Sequence, residues 1–124
     1  MDNGYQKLKV YQLAYKPAIE VFHLRKKFPK EETYSLTDQI RRASRSICVN
    51  IAEGYRKRIY PKHFKSKMTD ADIECSETMV WLNFSRDCNY ITVEECDSLY
   101  KRFEEVDKML GNMIKNPRKF LPRN

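Results

Sequence analysis

Glycine and proline are scarce, with three and five among 124 residues. A β-rich domain needs a turn signal about every 8–12 residues, yet between Leu36 and Ile59 the only glycine or proline is Gly54. A sheet is therefore disfavoured and long helices are expected. The four cysteines form no CxxC pair and have no ligand-like spacing to His23 or His63, so the pattern of a zinc site is missing. Cys48, Cys75, Cys88 and Cys96 are expected to be reduced thiols, mostly buried. Gly4, Gly54 and Gly111 are isolated, which leaves no glycine-rich phosphate loop. Glu-x-x-His spacing occurs once, at Glu20–His23, whereas a di-iron bundle carries it on two helices, so such a site is not indicated. Neither histidine sits in a nucleophile–base arrangement, and the expectation is a protein with no catalytic residues, metal or cofactor. The start, MDNGYQKLKVYQ, has no apolar core of the signal-peptide type, and no run is long enough to span a bilayer. A cytoplasmic location is expected.

What is present is helical periodicity. With 41% hydrophobic residues the chain can build one core as a single domain, residues 1–124. Val10, Leu13, Ala14, Pro17, Val21, Leu24 and Phe28 recur at steps of three and four, predicting a first helix over about 9–28 that Phe28-Pro29 ends. Pro17 lies inside it and should kink or delay it. Leu36, Ile40, Ala43, Ile47 and Ile51 align on one face of a second helix over about 36–57. Ser35 or Thr37 can cap that helix, which is expected to end at Gly54 or soon after. Phe64, Met68, Ala71, Cys75, Thr78 and Leu82 form a heptad seam in a third helix over about 62–89, which opens at Pro61. Thr92 and Glu95 make a capping box for a fourth, over about 93–115, with the seam Cys96, Leu99, Phe103, Val106, Leu110 and Met113. Four helices with short links predict an all-α fold, an up-down-up-down antiparallel four-helix bundle.

Two residue sets lie outside these seams. Tyr11, Tyr15 and Phe22 form a second apolar stripe on the first helix, and Ile73, Val80, Trp81 and Phe84 form one on the third. Leaving so much apolar surface wet is costly, at roughly 25 cal/mol per Å², and both stripes are predicted to be subunit contacts of a homo-oligomer. The other set is basic. The formal charge is +7, and the excess lies in residues 1–60, with thirteen basic against six acidic side chains. Arg41, Arg42, Arg45 and Arg56 fall opposite the second helix's apolar face, and Lys57, Arg58 and Lys62 continue the basic run beside Tyr55, Tyr60 and His63. Guanidinium forks suit phosphate oxygens and tyrosines can stack on unpaired bases. These seven cations are the candidate nucleic-acid-binding residues, with RNA the favoured partner. The bland alternative is a solvated face partly paired with Asp38 and Glu53. A second functional alternative is an acidic protein docked on the same surface.

The strings YQKLKVYQLAY, KKFPKEETYSLTDQIRRAS, SICVNIAEGYRKR and DCNYI, with Asn50-Ile51-Ala52-Glu53-Gly54 the most specific, resemble one known family. It comprises the four-helix bundle proteins encoded in 23S ribosomal RNA intervening sequences (S23 proteins) and their relatives, the accessory variability proteins of diversity-generating retroelements. The resemblance covers nearly the whole chain. It implies a non-enzymatic bundle assembled into a homopentameric barrel with a basic surface, and a role in binding structured RNA. In the retroelement branch it implies docking to a reverse transcriptase.

Overall fold

The computed structural model describes residues 4–122, all helix, turn and connection, with no strand among them. A single turn, α1 (Gly4–Lys7), precedes α2 (Lys9–Leu24), and three longer helices follow: α3 (Leu36–Arg56), α4 (Pro61–Asp87) and α5 (Val93–Lys115). Helix α2 packs on α3 and α5, while α4 packs on α3 and α5, so α2 and α4 are diagonal across a four-helix bundle. The links from α3 to α4 and from α4 to α5 are too short for anything but a reversal, which makes successive helices antiparallel neighbours.

The core is built from the predicted seams. Phe64, Met68, Ala71, Cys75, Thr78 and Leu82 of α4 are buried, as are Cys96, Leu99, Phe103, Val106, Leu110 and Met113 of α5. From α3 come Leu36, Ile40, Ala43, Ile47 and Ile51, and from α2 Val10, Ala14, Val21 and, just beyond its end, Phe28. Leu13 and Leu24 are half-buried against this cluster. Outside the seams, Phe120, in a 3-10 turn after α5 (Pro117–Phe120), stacks on Phe64 with ring centroids 5.4 Å apart and closes one end of the bundle.

Several ends differ from the sequence expectation. Helix α2 stops at Leu24 and the chain tightens into a 3-10 turn, Arg25–Lys27, before Phe28 turns extended. Pro29 forces this, because its ring disfavours helical backbone at the preceding residue. Pro17 does not delay α2; it is buried within a helix that starts eight residues earlier, at Lys9. Ser35 occupies the N-cap of α3 but its hydroxyl does not cap the helix. Instead the Glu32 carboxylate accepts hydrogen bonds from the Ser35 hydroxyl, the Leu36 N–H (3.3 Å) and the Tyr90 hydroxyl (2.9 Å), and these donors hold it below the usual carboxylate range. Thr37 is buried with no partner for its hydroxyl.

Helix α3 runs two residues past Gly54, to Arg56, so the glycine itself does not stop it. It lies inside α3, buried, without a positive φ. Its role is close approach: a Cβ there would lie 2.5 Å from Met68 Cε and 2.9 Å from Lys67 Cβ, so the missing side chain lets α4 sit against α3. Helix α4 ends at Asp87, and just beyond it Asn89 takes the left-handed region at φ 64°, a conformation that asparagine tolerates. Helix α5 opens on the expected capping box, with Thr92 Oγ1 accepting from Glu95 N and Glu95 Oε1 accepting from Thr92 N. Of the cysteines, Cys48, Cys75 and Cys96 are buried and Cys88 is exposed, and all four are free thiols.

Candidate nucleic-acid interface

The basic residues of α3 divide into two groups because the helix is long. Arg45 and Arg56 are eleven residues apart, about 16 Å along the axis. At the N-terminal end, Arg41 and Arg45 lean toward α2, where the ring of Phe22 receives three guanidinium groups: Arg25 at 3.9 Å from the centroid, and Arg41 and Arg45 at 5.6 Å each. An aromatic face attracts cations, and the half-buried Phe22 supplies it. Arg25 Nη1 also donates to Phe22 O at 3.2 Å. Arg41 Nε is buried without a hydrogen-bond partner. Among the described residues none of these three arginines forms an ion pair. Arg42 points elsewhere and donates from Nε to Asp38 Oδ2 at 3.0 Å, one helical turn back.

The second group surrounds the turn between α3 and α4. Arg56 and Lys57 are exposed. Arg58 folds back over the Tyr55 ring at 3.9 Å and donates to Tyr55 O at 2.9 Å, which fixes its guanidinium plane. Lys62, in the first turn of α4, is exposed beside His63, which meets the ring of Tyr60 edge-on. Tyr60 is 61% exposed, so its face is open to a stacking partner. Glu53 belongs to neither group, since it bonds Lys67 of α4 at 2.9 Å. The sequence treated the seven cations as one continuous surface; the fold presents a cluster on the α2/α3 flank and a cationic turn at one end of the bundle.

The sequence pattern does not single out Arg25, which lies in the 3-10 turn after α2. Its spacing of three from Phe22 was the available signal, since i, i+3 residues meet on a helix.

The apolar stripes are likewise separated. Tyr11, Tyr15 and Phe22 line a groove of about 610 Å³ between α2 and α3, which Ile19 and Val49 continue. Tyr15 and Tyr11 stack along it with centroids 5.8 Å apart. Ile73, Val80 and Phe84 stand on the outer face of α4, each about half exposed. Trp81 is half-buried, tilted against Phe84 at 5.8 Å, with its indole N–H buried and unpartnered. A recess of about 360 Å³ separates Trp81 and Phe84 from Tyr34 and Leu36. The α2 stripe and the α4 stripe thus lie on different sides of the molecule, with α3 between them.

No helix among the described residues is long and apolar enough to cross a membrane. No curated protein matches the chain. Among solved structures, a protein of unknown function from the S23 ribosomal protein family of Bacteroides thetaiotaomicron VPI-5482 is similar, with 29% sequence identity and a TM-score of 0.77. That match spans 86% of this chain and 95% of the other. The model of the 23S rRNA-intervening sequence proteins matches residues 6–112. With the motifs of α2 and α3 inside the matched region and the same bundle in the solved relative, the chain belongs to the 23S rRNA-intervening sequence protein family.

Proposed function

We propose that this protein is a non-enzymatic, self-associating bundle that binds structured RNA through the cationic turn between α3 and α4. The observation that carries this reading is the turn itself: Arg56, Lys57, Arg58 and Lys62 stand together without a carboxylate partner among the described residues, beside the open ring of Tyr60. Cations in this arrangement neutralise phosphates and release condensed counterions, and an exposed tyrosine offers a base-stacking face.

A catalytic role has no support in the side chains. His23 lies edge-on to Phe22 and His63 to Tyr60, each a surface histidine against an aromatic ring. Burial pushes the Cys48 and Cys75 thiols up to about 12, so neither is a thiolate nucleophile at neutral pH.

Self-association is supported by the placement of the two apolar stripes. A two-fold dimer would use one self-complementary patch, whereas two different patches on separate sides favour a head-to-tail contact, which closes into a ring where the rotation between copies allows it. The homopentameric barrel expected for this family is of that kind.

The test is retention of a structured RNA hairpin on filters across a salt series, with Lys57→Glu/Lys62→Glu as the comparison. Wild type should lose affinity steeply with salt, and the variant should bind more weakly with a shallower slope. Equal retention of both proteins at every salt concentration would refute the proposal.

A further inference from the structure

Two charge clusters of opposite sign, each without ion-pair partners among the described residues, sit on different faces of the bundle. On the α2/α3 flank, Arg25, Arg41 and Arg45 surround Phe22 with no carboxylate partner among the described residues. Along α4, Asp70, Glu74 and Glu77 have no ion-pair partner among the described residues. Glu74 is half-buried, and desolvation together with its neighbours Glu77 and Asp70 raises its carboxyl above the usual range. A helix that crowds three acids on one face is destabilised by their repulsion, and a cationic surface brought against it would relieve that cost.

Each cluster also adjoins an apolar surface, and the order along the two helices agrees. On α4 the acids come first, centred near residue 74, and the apolar pair Val80 and Phe84 follows, about 12 Å further along the axis. On α3 the arginines come first, centred near residue 43, and the apolar groove at Val49 and Ala52 follows about 11 Å on. Val49 is 54% exposed and Phe84 53% exposed, so both have apolar area to lose from water.

We infer that the outer ridge of α4 from a second copy of this chain lies in the α2/α3 groove, running parallel to α3, with Glu74 and Glu77 against Arg41 and Arg45 and with Val80 and Phe84 over Val49 and the Tyr11–Tyr15 stack. This rests on the self-association reading above and gives it an occupant, a direction and a charge register. It also assigns Arg41 and Arg45 to holding neighbouring subunits together, leaving the cationic turn at Arg56–Lys62 open for nucleic acid in the assembled protein. Because the ridge and the groove are different surfaces, every copy can offer one and receive on the other, which is the head-to-tail geometry of a ring.

The test is charge exchange, read by sedimentation velocity, with circular dichroism confirming helical folding of every variant. Arg41→Glu/Arg45→Glu and Glu74→Lys/Glu77→Lys should each sediment as a monomer where wild type assembles. Mixing the two should restore association above the monomer, because each wild-type surface then meets a wild-type partner and each reversed surface a reversed one; the copies must alternate, so the mixed assembly holds an even number of copies or stays open rather than matching a five-membered ring. A folded Arg41→Glu/Arg45→Glu protein that assembles like wild type would overturn the inference while leaving self-association standing, as would two folded monomeric variants that fail to assemble when mixed. A monomeric wild type would remove both.

Discussion

At the scale of single residues, the glycines of α3 and α5 separate packing from propensity. In the middle of a helix, glycine is destabilising by roughly 0.5–1 kcal/mol relative to alanine, through backbone entropy. Gly111 in α5 has nothing within 4 Å of the position a Cβ would take, so Gly111→Ala should stabilise the protein by about that amount. Gly54 is the opposite case, because its Cβ would meet Met68 Cε at 2.5 Å and Lys67 Cβ at 2.9 Å. Met68 is fully buried and cannot swing its methyl away freely, and overpacking of this kind typically costs about 1–3 kcal/mol. The steric cost exceeds the propensity gain, and Gly54→Ala should destabilise by about 1–2 kcal/mol, with Gly54→Leu worse. Urea denaturation of the three variants against wild type checks the pair of predictions, since the two alanine substitutions are expected to move the midpoint in opposite directions. Gly54 also shows why a glycine near a helix end is ambiguous in sequence. Whether it stops the helix or admits a neighbour depends here on residues 67 and 68, which lie on a different element.

At the scale of elements, the seams of α3, α4 and α5 were legible because burial repeats with the helical period, and a 3–4 spacing specifies a face without knowledge of its partner. What the period does not report is which polar residue beside the seam meets another polar residue across the interface. Asp72 is such a residue. It flanks Cys75 on the side of α4 that faces α5, and one carboxyl oxygen is buried without a hydrogen-bond partner. Burial in the first place, and then Asp107 of α5, push its carboxyl up from 3.8 to about 7. The Cys75 thiol beside it donates to Phe103 O at 3.2 Å and offers no positive charge. A raised acid binds its proton more tightly in the folded state, so its contribution to stability is fully present below pH 4 and is lost as pH rises through 7. Asp72→Asn removes the charge and keeps a similar shape. The variant should gain stability relative to wild type as pH rises from 5 to 8, by about 1–2 kcal/mol at a site that is partly solvated. Glu32 and Glu95, held low by their hydrogen bonds, lose their contributions only at more acidic pH and do not confuse this window. Denaturation midpoints at pH 5 and 8 for both proteins test it, and a difference that stays constant with pH would refute it.

At the scale of the whole molecule, the distribution of charge matters more than the formal +7. The sequence identified the arginines of α3 as the outstanding surface feature, and their angular position on the helix was readable from their numbers. Their division was not, because the packing of Phe22 from α2 draws Arg41 and Arg45 to one flank, while the turn before Pro61 keeps Arg56, Lys57 and Lys62 at the far end. This division makes the proposed assembly and the proposed RNA binding separable. A ring presents one cationic turn per copy, and several weak phosphate contacts to one RNA then act together, which can raise affinity by about 10²–10⁴-fold without any new contact. On the proposed ridge-in-groove contact, Glu74→Lys/Glu77→Lys yields monomers, leaves the cationic turn untouched and adds positive charge elsewhere. If binding depended only on total charge, that variant would hold a structured RNA at least as tightly as wild type. If it depends on several turns acting at once, the monomer should bind at least tenfold more weakly despite its higher charge, and its affinity should fall less steeply with salt because fewer phosphates are engaged at once. Fluorescence anisotropy of a labelled hairpin, titrated at several salt concentrations with wild type and the monomeric variant, distinguishes the two. Tighter binding by the monomer would show that net charge, and not the repeated turn, governs the interaction.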